Sequence, residues 1–295
     1  MKTFGRVLTA MITSFNEDGS VNIENTVAIA EHLLNHGSDG LVVCGTTGEN
    51  PTISRESKIA LFKAIAESCG DKGTIIANVG SNDTKGSVDF VKEVSKIDGI
   101  DGLLVVVPYY NKPNQQGQYL HFKAIAEATT LPIMVYNVPS RVGTGIFPTT
   151  LAQLHSEYPH VCAIKEASGN LMIASEIKRL MPGEDFMVYS GDDGLTLPML
   201  SVGACGVVSV VSHVAGKDMN AMIQAYESGH NHEALRIHQS LADIIKAMFI
   251  TTNPIPVKYA ARKIGLPAGV FNLPMCDPSA EEAAYIDKAL AEYVK

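Results

Sequence analysis

Eight short apolar segments recur along the first part of the chain, and they constrain the fold more than any other feature. Each has four to six residues, mostly Val, Ile, Leu and Ala, and is bounded by polar or glycine-containing turns. Such runs are typical of strands that are buried on both faces of a parallel sheet. The predicted strands are residues 7–10, 40–44, 74–79, 102–107, 133–138, 161–165, 187–190 and 206–210.

The stretches between these segments have helical periodicity. In residues 84–97, for example, Val88, Val91 and Val94 fall on one stripe. Eight βα units with right-handed crossovers predict an α/β fold, the closed (β/α)8 TIM barrel. An open doubly wound sheet is the alternative. That fold favours Gly-x-Gly-x-x-Gly after the first strand, and residues 9–13 contain no glycine.

The barrel is expected to occupy residues 1–215 as the catalytic domain. Residues 216–295 are expected to form a C-terminal helical region joined by Pro- and Gly-containing turns. Its composition differs too little from the rest to predict an independent domain. The predicted helices are residues 217–228, 232–248, 256–264 and 279–294.

Composition excludes several classes of function. The net charge of -8 and the lack of a long basic run argue against a nucleic-acid surface. No apolar stretch reaches membrane-spanning length, and residues 1–5 do not resemble a signal peptide, so we expect a cytoplasmic protein. Five scattered cysteines without a Cys-x-x-Cys pair are expected to be reduced, and nine histidines without a zinc signature predict no metal site.

Lys165 ends the sixth predicted strand and is followed by Glu-Ala-Ser-Gly-Asn. Partial desolvation at the end of a buried strand favours the neutral amine, which is the nucleophilic form. The alternative is a lysine that extends its ammonium group to water. The residues at the neighbouring strand ends distinguish these two interpretations of Lys165, because the functional residues of such barrels lie on the loops that follow the strands.

The loop after the second strand contains Gly-Thr-Thr-Gly-Glu at residues 45–49. The hydroxyls of Thr46 and Thr47, together with closely spaced backbone N–H groups, would suit a small carboxylate. A plain turn with a helix cap is the alternative. Residues 45–49 alone are therefore consistent with an anion receptor and with a plain capped turn.

The fourth and fifth strands end in tyrosines. Tyr109 and Tyr110 follow the fourth strand, and Tyr136 lies at the end of the fifth. Tyrosines at such positions often serve packing, but a phenol can also relay protons. Arg141, five residues after Tyr136, has a planar guanidinium group that can bind a second carboxylate. A lysine, hydroxyl relays and anion-binding groups together predict Schiff-base chemistry on an α-keto acid.

The chain resembles the dihydrodipicolinate synthase family over essentially its whole length. The resemblance rests on Gly-Thr-Thr-Gly-Glu at 45–49, Tyr-Tyr-Asn-Lys-Pro at 109–113, Tyr-Asn-Val-Pro-Ser-Arg at 136–141 and Ile-Lys-Glu-Ala at 164–167. It implies that Lys165 binds pyruvate as an imine. It also implies a proton relay of Thr46, Tyr136 and Tyr110, with Tyr110 supplied by a neighbouring subunit.

The same resemblance implies the substrate contacts. Thr47 and its backbone N–H would hold the pyruvate carboxylate, and Arg141 the carboxylate of L-aspartate 4-semialdehyde. The backbone at Gly191 and Val208 would lie near bound substrate. A lyase of lysine and diaminopimelate biosynthesis follows, expected to need no organic cofactor and to form a homotetramer built as a dimer of dimers.

Two other functions remain open at this point. Related aldolases act on sugar-acid 2-keto compounds of the 2-keto-3-deoxygluconate or N-acetylneuraminate type. Sialic-acid lyases typically carry serine in place of the first threonine of residues 45–49 and lack the arginine at position 141, so Thr46 and Arg141 favour the synthase. A non-catalytic barrel would usually have lost the lysine or the relay tyrosines.

We expect feedback inhibition by lysine to be weak or absent. Family members that lysine inhibits generally carry glutamate at the position of Gly86 and histidine at Arg55 or Lys58. This chain therefore lacks a carboxylate for the lysine ammonium and adds positive charge. Initial rates measured against lysine concentration test this expectation, and a sub-millimolar inhibition constant would contradict it.

Overall fold

Eight parallel strands close into a barrel in the computed structural model, which describes residues 4–183 and 185–293. Each strand pairs with the next, and β1 pairs with β8. The TIM barrel prediction is confirmed and the open-sheet alternative is wrong. The strands are β1 Val7–Ala10, β2 Gly40–Val43, β3 Thr74–Asn78, β4 Gly102–Val106, β5 Ile133–Asn137, β6 Val161–Glu166, β7 Met187–Ser190 and β8 Gly206–Ser209.

The strand predictions are accurate because both faces of the sheet are covered. All residues of six strands are buried, and β3 and β4 each have one half-buried terminal residue. Every strand begins at its predicted residue and ends within one residue of its predicted end. Continuous burial gives continuous apolar runs, which are easier to delimit in a sequence than alternating ones.

Helices surround the barrel and extend beyond it. Several begin at a side chain that accepts a backbone N–H from the first turn, as at Asn22, Ser54, Asp83 and Asn114. The helices are α1 Ile23–Asn35, α2 Arg55–Cys69, α3 Thr84–Val94, α4 Gln115–Ala126, α5 Pro139–Val142, α6 Pro148–Glu157, α7 Leu171–Leu180, α8 Thr196–Ser201, α9 Ser212–Glu227, α10 Asn231–Ser240, α11 Ala242–Met248, α12 Ile255–Lys263 and α13 Ala280–Tyr293.

The C-terminal helices follow the prediction with two corrections. The helix predicted to begin at residue 217 begins at Ser212. The single helix predicted over 232–248 is wrong, because α10 and α11 are separate helices. The Ser240 hydroxyl donates to the carbonyl of Ile237 there, a local bond that competes with the helical ladder. The predicted end of the last helix, residue 294, lies outside the described residues.

The C-terminal region is tied to the barrel loops by a buried ion pair. Lys258 of α12 places its Nζ 2.7 Å from Oε1 of Glu49, and both side chains are almost completely inaccessible to water. The backbone N–H of Asn272 donates to the other oxygen of the same carboxylate, at 3.1 Å.

Position 215, the predicted end of the barrel domain, lies at a kink inside α9. That boundary stays a prediction. Among the described helices, none has the length and apolarity that crossing a membrane requires.

Candidate active site

Lys165 and Tyr136 are neighbours across the β5–β6 pair. They are register partners, so their side chains leave the sheet on the same face. The two residues are 6% and 7% exposed, and the Lys165 Nζ lies 4.5 Å from the centroid of the Tyr136 ring. The structure therefore brings together the predicted nucleophile and one predicted proton relay in a largely desolvated position.

The next residue of each strand fixes this register. Nδ2 of Asn137 donates to Oε2 of Glu166 at 2.7 Å, and the N–H of Ser168 donates to Oε1 at 2.6 Å. Burial raises the pKa of Glu166, and the hydrogen bonds from Ser168 and Asn137 oppose this change. Because successive side chains alternate, the Glu166 carboxylate faces away from the Lys165 amine.

A cavity of about 220 Å³ opens beside Tyr136, which lines it, whereas Lys165 is not one of the lining residues. It is smaller than the roughly 300–1,000 Å³ of pockets for drug-sized ligands, so it suits a small metabolite. Three predicted site residues share its wall: Thr46, Tyr136 and Arg141. The other lining residues are Asn50, Pro51, Asn78, Val106, Tyr109, Val138 and Val142.

Thr47 and Arg141 meet at a residue that the sequence analysis missed. The buried Asn253 donates from Nδ2 to the Thr47 Oγ1 at 3.0 Å, and its carbonyl accepts a hydrogen bond from Nη2 of Arg141 at 3.1 Å. Asn253 lies just before the predicted helix 256–264. No local sequence pattern indicated that it contacts Thr47, which is 206 residues away.

The loop that carries Thr46 and Thr47 is held by Glu49. Glu49 adopts a left-handed backbone conformation with φ of 57°, and its buried carboxylate pairs with Lys258. The Lys258 ammonium also lies 4.4 Å from the ring centroid of Phe15. Burial lowers the pKa of Lys258, and the Glu49 carboxylate opposes that effect. Ser54, outside this loop, caps α2, whereas Glu49 is the N-cap of the short 3-10 helix Asn50–Thr52 without a side-chain capping hydrogen bond.

Tyr110 does not join the site within one chain. Its side chain is 89% exposed and its backbone has φ of 68°, whereas its neighbour Tyr109 lines the cavity. A residue with a side chain is strained in this left-handed region unless its surroundings stabilise it. The role expected from the family, in a neighbouring subunit, stays a prediction.

Gly191 and Val208 lie at the ends of the next two strands. A Cβ added at Gly191 would come within 2.6 Å of the Ala167 Cβ and 3.1 Å of the Lys165 Cγ. Any larger residue at position 191 would therefore crowd the lysine. Val208 is buried in β8 opposite Leu8. The expected contact of both backbones with substrate stays a prediction.

A second cavity, of about 370 Å³, contains the three positions on which the lysine prediction rests: Arg55, Lys58 and Gly86. Arg55 donates to the Glu93 carboxylate at 2.8 Å, and burial lowers the pKa of Lys58. Asn50, Pro51, Asn78 and Tyr109 separate this cavity from the first one, since they line both. The prediction of weak inhibition is untested, but its three residues do share one cavity.

The chemistry available around the first cavity is that of an amine with hydroxyl groups and a guanidinium. An amine beside a phenol can form and break an imine, because each step needs a proton moved to or from oxygen. The guanidinium of Arg141 can hold a carboxylate with two parallel hydrogen bonds. Among residues 4–183 and 185–293, no group of three or more His, Cys, Asp or Glu side chains could hold a metal ion.

A protein family model and named relatives match nearly the full length of the chain. Residues 3–293 match the model of the dihydrodipicolinate synthetase family. The 4-hydroxy-tetrahydrodipicolinate synthase of Moorella thermoacetica is 49% identical over 98% of this chain and 98% of its own. The enzyme of the same name from Desulforamulus reducens is 49% identical over 95% of this chain and 94% of its own.

Solved structures give the same result. A dihydrodipicolinate synthase from Bacillus anthracis superposes with a TM-score of 0.95 at 41% identity, covering 99% of each chain. The enzyme from Cyanidioschyzon merolae, solved with lysine bound, gives 0.96 at 42% identity and covers 99% of this chain and 98% of that one. Fold, motifs and sequence therefore agree, and the chain belongs to the dihydrodipicolinate synthetase family.

Proposed function

We propose that this protein is a lyase that condenses pyruvate with L-aspartate 4-semialdehyde to give 4-hydroxy-tetrahydrodipicolinate. This reaction is the first committed step of lysine and diaminopimelate biosynthesis. The observation that carries the proposal is the buried Lys165 beside Tyr136, because Tyr136 lines a small cavity together with Thr46 and Arg141. Relatives named for this activity match 98% of the chain, which supports it.

In the first half of the reaction, the Lys165 amine adds to the ketone carbon of pyruvate. The carbinolamine that forms loses its hydroxyl group as water and leaves an imine. Tyr136 and Thr46, with Tyr110 of the partner subunit, deliver and remove the protons of these steps. Thr47 holds the pyruvate carboxylate, and the backbones at Gly191 and Val208 border the bound substrate.

In the second half, the protonated imine withdraws electrons from the methyl group, which loses a proton and becomes an enamine. The enamine carbon attacks the aldehyde carbon of the semialdehyde, whose carboxylate Arg141 holds. The amino group of the semialdehyde then displaces Lys165 from the imine carbon, which closes the ring and frees the enzyme. One water leaves for each pair of substrates joined.

The protein is further proposed to be a homotetramer, a dimer of dimers, in the cytoplasm, and to use no organic cofactor. The exposed Tyr110 supports association, because its relay role requires a second chain. All five cysteines are free, which suits a reducing compartment.

The aldehyde partner is the decisive test of this proposal. With pyruvate held constant, we expect turnover with L-aspartate 4-semialdehyde and little or none with sugar aldehydes. The physical reason is Arg141, whose guanidinium matches a carboxylate that sugar aldehydes lack. A preference for a sugar aldehyde would instead favour the sugar-acid aldolase.

Arg141→Ala should raise the KM for the semialdehyde roughly 10- to 100-fold, the effect of losing a hydrogen-bonded contact to a charged group. The KM for pyruvate should change much less. Arg179→Ala is the matched control, since Arg179 is a surface arginine paired with Glu176 on α7. An unchanged semialdehyde KM in Arg141→Ala would contradict the assigned role.

A further inference from the structure

Asn253 contacts both residues that the proposed function assigns to the two substrate carboxylates. Its side-chain Nδ2 donates to the Thr47 hydroxyl, and its backbone carbonyl accepts from Arg141. The residue is 8% exposed and comes from the C-terminal region, just before α12. Two separate groups of one residue thus reach both binding positions.

The hydrogen bond from Asn253 determines what the Thr47 hydroxyl can do. A threonine hydroxyl has one proton and two lone pairs. Because the amide N–H of Asn253 occupies one lone pair, the Thr47 proton is not used in this contact. In the described part of the chain, Thr47 Oγ1 makes no other hydrogen bond. Its proton is therefore available to an acceptor that the protein itself does not supply.

Packing alone does not explain an asparagine at this position. Its Oδ1 is buried and has no hydrogen-bond partner among the described residues. An unpaired buried acceptor is unfavourable, and a leucine of similar size would avoid it. The amide is retained at a cost to stability, which indicates that its donor has a use.

We infer that Asn253 is a positioning residue that keeps the Thr47 hydroxyl donating to the pyruvate carboxylate. Its backbone carbonyl meanwhile orients Arg141 for the carboxylate of the second substrate. This inference rests on the proposed function. The two contacts are separable, because a change of side chain removes the first and leaves the carbonyl in place. Side-chain variants should therefore affect one substrate and spare the other.

Two variants test the separation. Asn253→Leu removes the donor, and Asn253→Asp replaces it with an acceptor that takes the Thr47 proton. Both should raise the KM for pyruvate about 10- to 100-fold, the effect of one hydrogen bond to a charged group, with the larger rise in Asn253→Asp. The KM for the semialdehyde should stay within about threefold of the original value, since the Arg141 contact persists. Asn253→Asp keeps the shape of the side chain and gives the readout if Asn253→Leu does not fold.

A double-variant cycle shows whether Asn253 acts through Thr47. Thr47→Val removes the hydroxyl that Asn253 orients. In that background, Asn253→Leu should cause no further rise in the pyruvate KM, because the interaction it breaks is already absent. Multiplicative effects of the two substitutions would overturn the inference, as would equal rises in both KM values for Asn253→Leu alone.

Reduction with borohydride in the presence of pyruvate separates this inference from the proposed function. If the unmodified protein gains no adduct on Lys165, the proposed function fails. If it gains the adduct while Asn253→Leu and Asn253→Asp keep the original pyruvate KM, only the role of Asn253 is overturned. The inference is supported when the adduct forms at Lys165 and the variants need more pyruvate to reach half-maximal labelling.

Discussion

Replacing Lys165 with alanine is expected to lower kcat/KM by at least about 1,000-fold, the scale on which enzymes lose activity when a covalent nucleophile is removed. The Lys165 amine is the only group proposed to bond to the substrate, so no partial mechanism remains without it. Folding should be nearly unaffected. The lysine is 6% exposed and forms no ion pair within residues 4–183 and 185–293, so its removal leaves no opposite charge unpaired.

The measurement combines steady-state rates with mass spectrometry. Borohydride and pyruvate should add a stable three-carbon adduct to the unmodified protein, on the peptide that contains Lys165, and none to Lys165→Ala. Lys288→Ala serves as the control, because the Lys288 side chain is 74% exposed on α13. It should keep both activity and adduct. An adduct on another lysine, with full activity in Lys165→Ala, would refute the mechanism.

The barrel could be predicted from the sequence because its signals are local. Strand runs such as 161–165 are buried on both faces, and the chain returns to the next strand through an amphipathic helix each time. The prediction was wrong at 232–248, where the apolar period continues across a break. The spacing of apolar residues indicates which face of a helix is buried. It does not show that the helix is interrupted at a single residue, where one helix ends and the next begins.

The candidate site was only partly predictable, because only some of its contacts leave a local signal in the sequence. Lys165 and Tyr136 were found because each ends a strand, and parallel strands bring their ends together. Asn253 and Lys258 were not found, because their partners Thr47 and Glu49 lie more than 200 residues away in the sequence. No periodicity or turn rule carries that information. Tyr110 illustrates a different limit, since its expected partner is a second chain.

The second large effect is expected at Lys258, far from Lys165 in the sequence. Lys258→Met should lower the free energy of unfolding by about 3–5 kcal/mol, because it leaves the buried Glu49 carboxylate without an opposite charge. Most of the cost is the burial of that charge, since methionine replaces much of the lysine stem. At a fixed protein concentration, the Tm should fall by roughly 10 °C. Urea denaturation followed by circular dichroism gives the free energy.

Two further variants isolate the cause. Lys263→Met breaks the ion pair with Asp287, in which the side chains are 47% and 42% exposed, and it should cost less than about 1 kcal/mol. In Lys258→Met/Glu49→Gln the buried charge is gone, so this double variant should be more stable than Lys258→Met alone. If both lysine variants lose the same stability, or the double variant loses the sum of its single changes, burial of the charge is not the cause.

The same ion pair links stability to substrate binding. Glu49 ends the loop that carries Thr46 and Thr47, and its carboxylate is held from α12 and from the N–H of Asn272. When Lys258 is lost, the loop loses one of its two anchors, so the pyruvate KM should rise in Lys258→Met even where the protein remains folded. Lys263→Met should leave that KM unchanged. A Lys258→Met protein with normal pyruvate binding would show that the loop keeps its geometry without the ion pair, and that the ion pair serves stability alone.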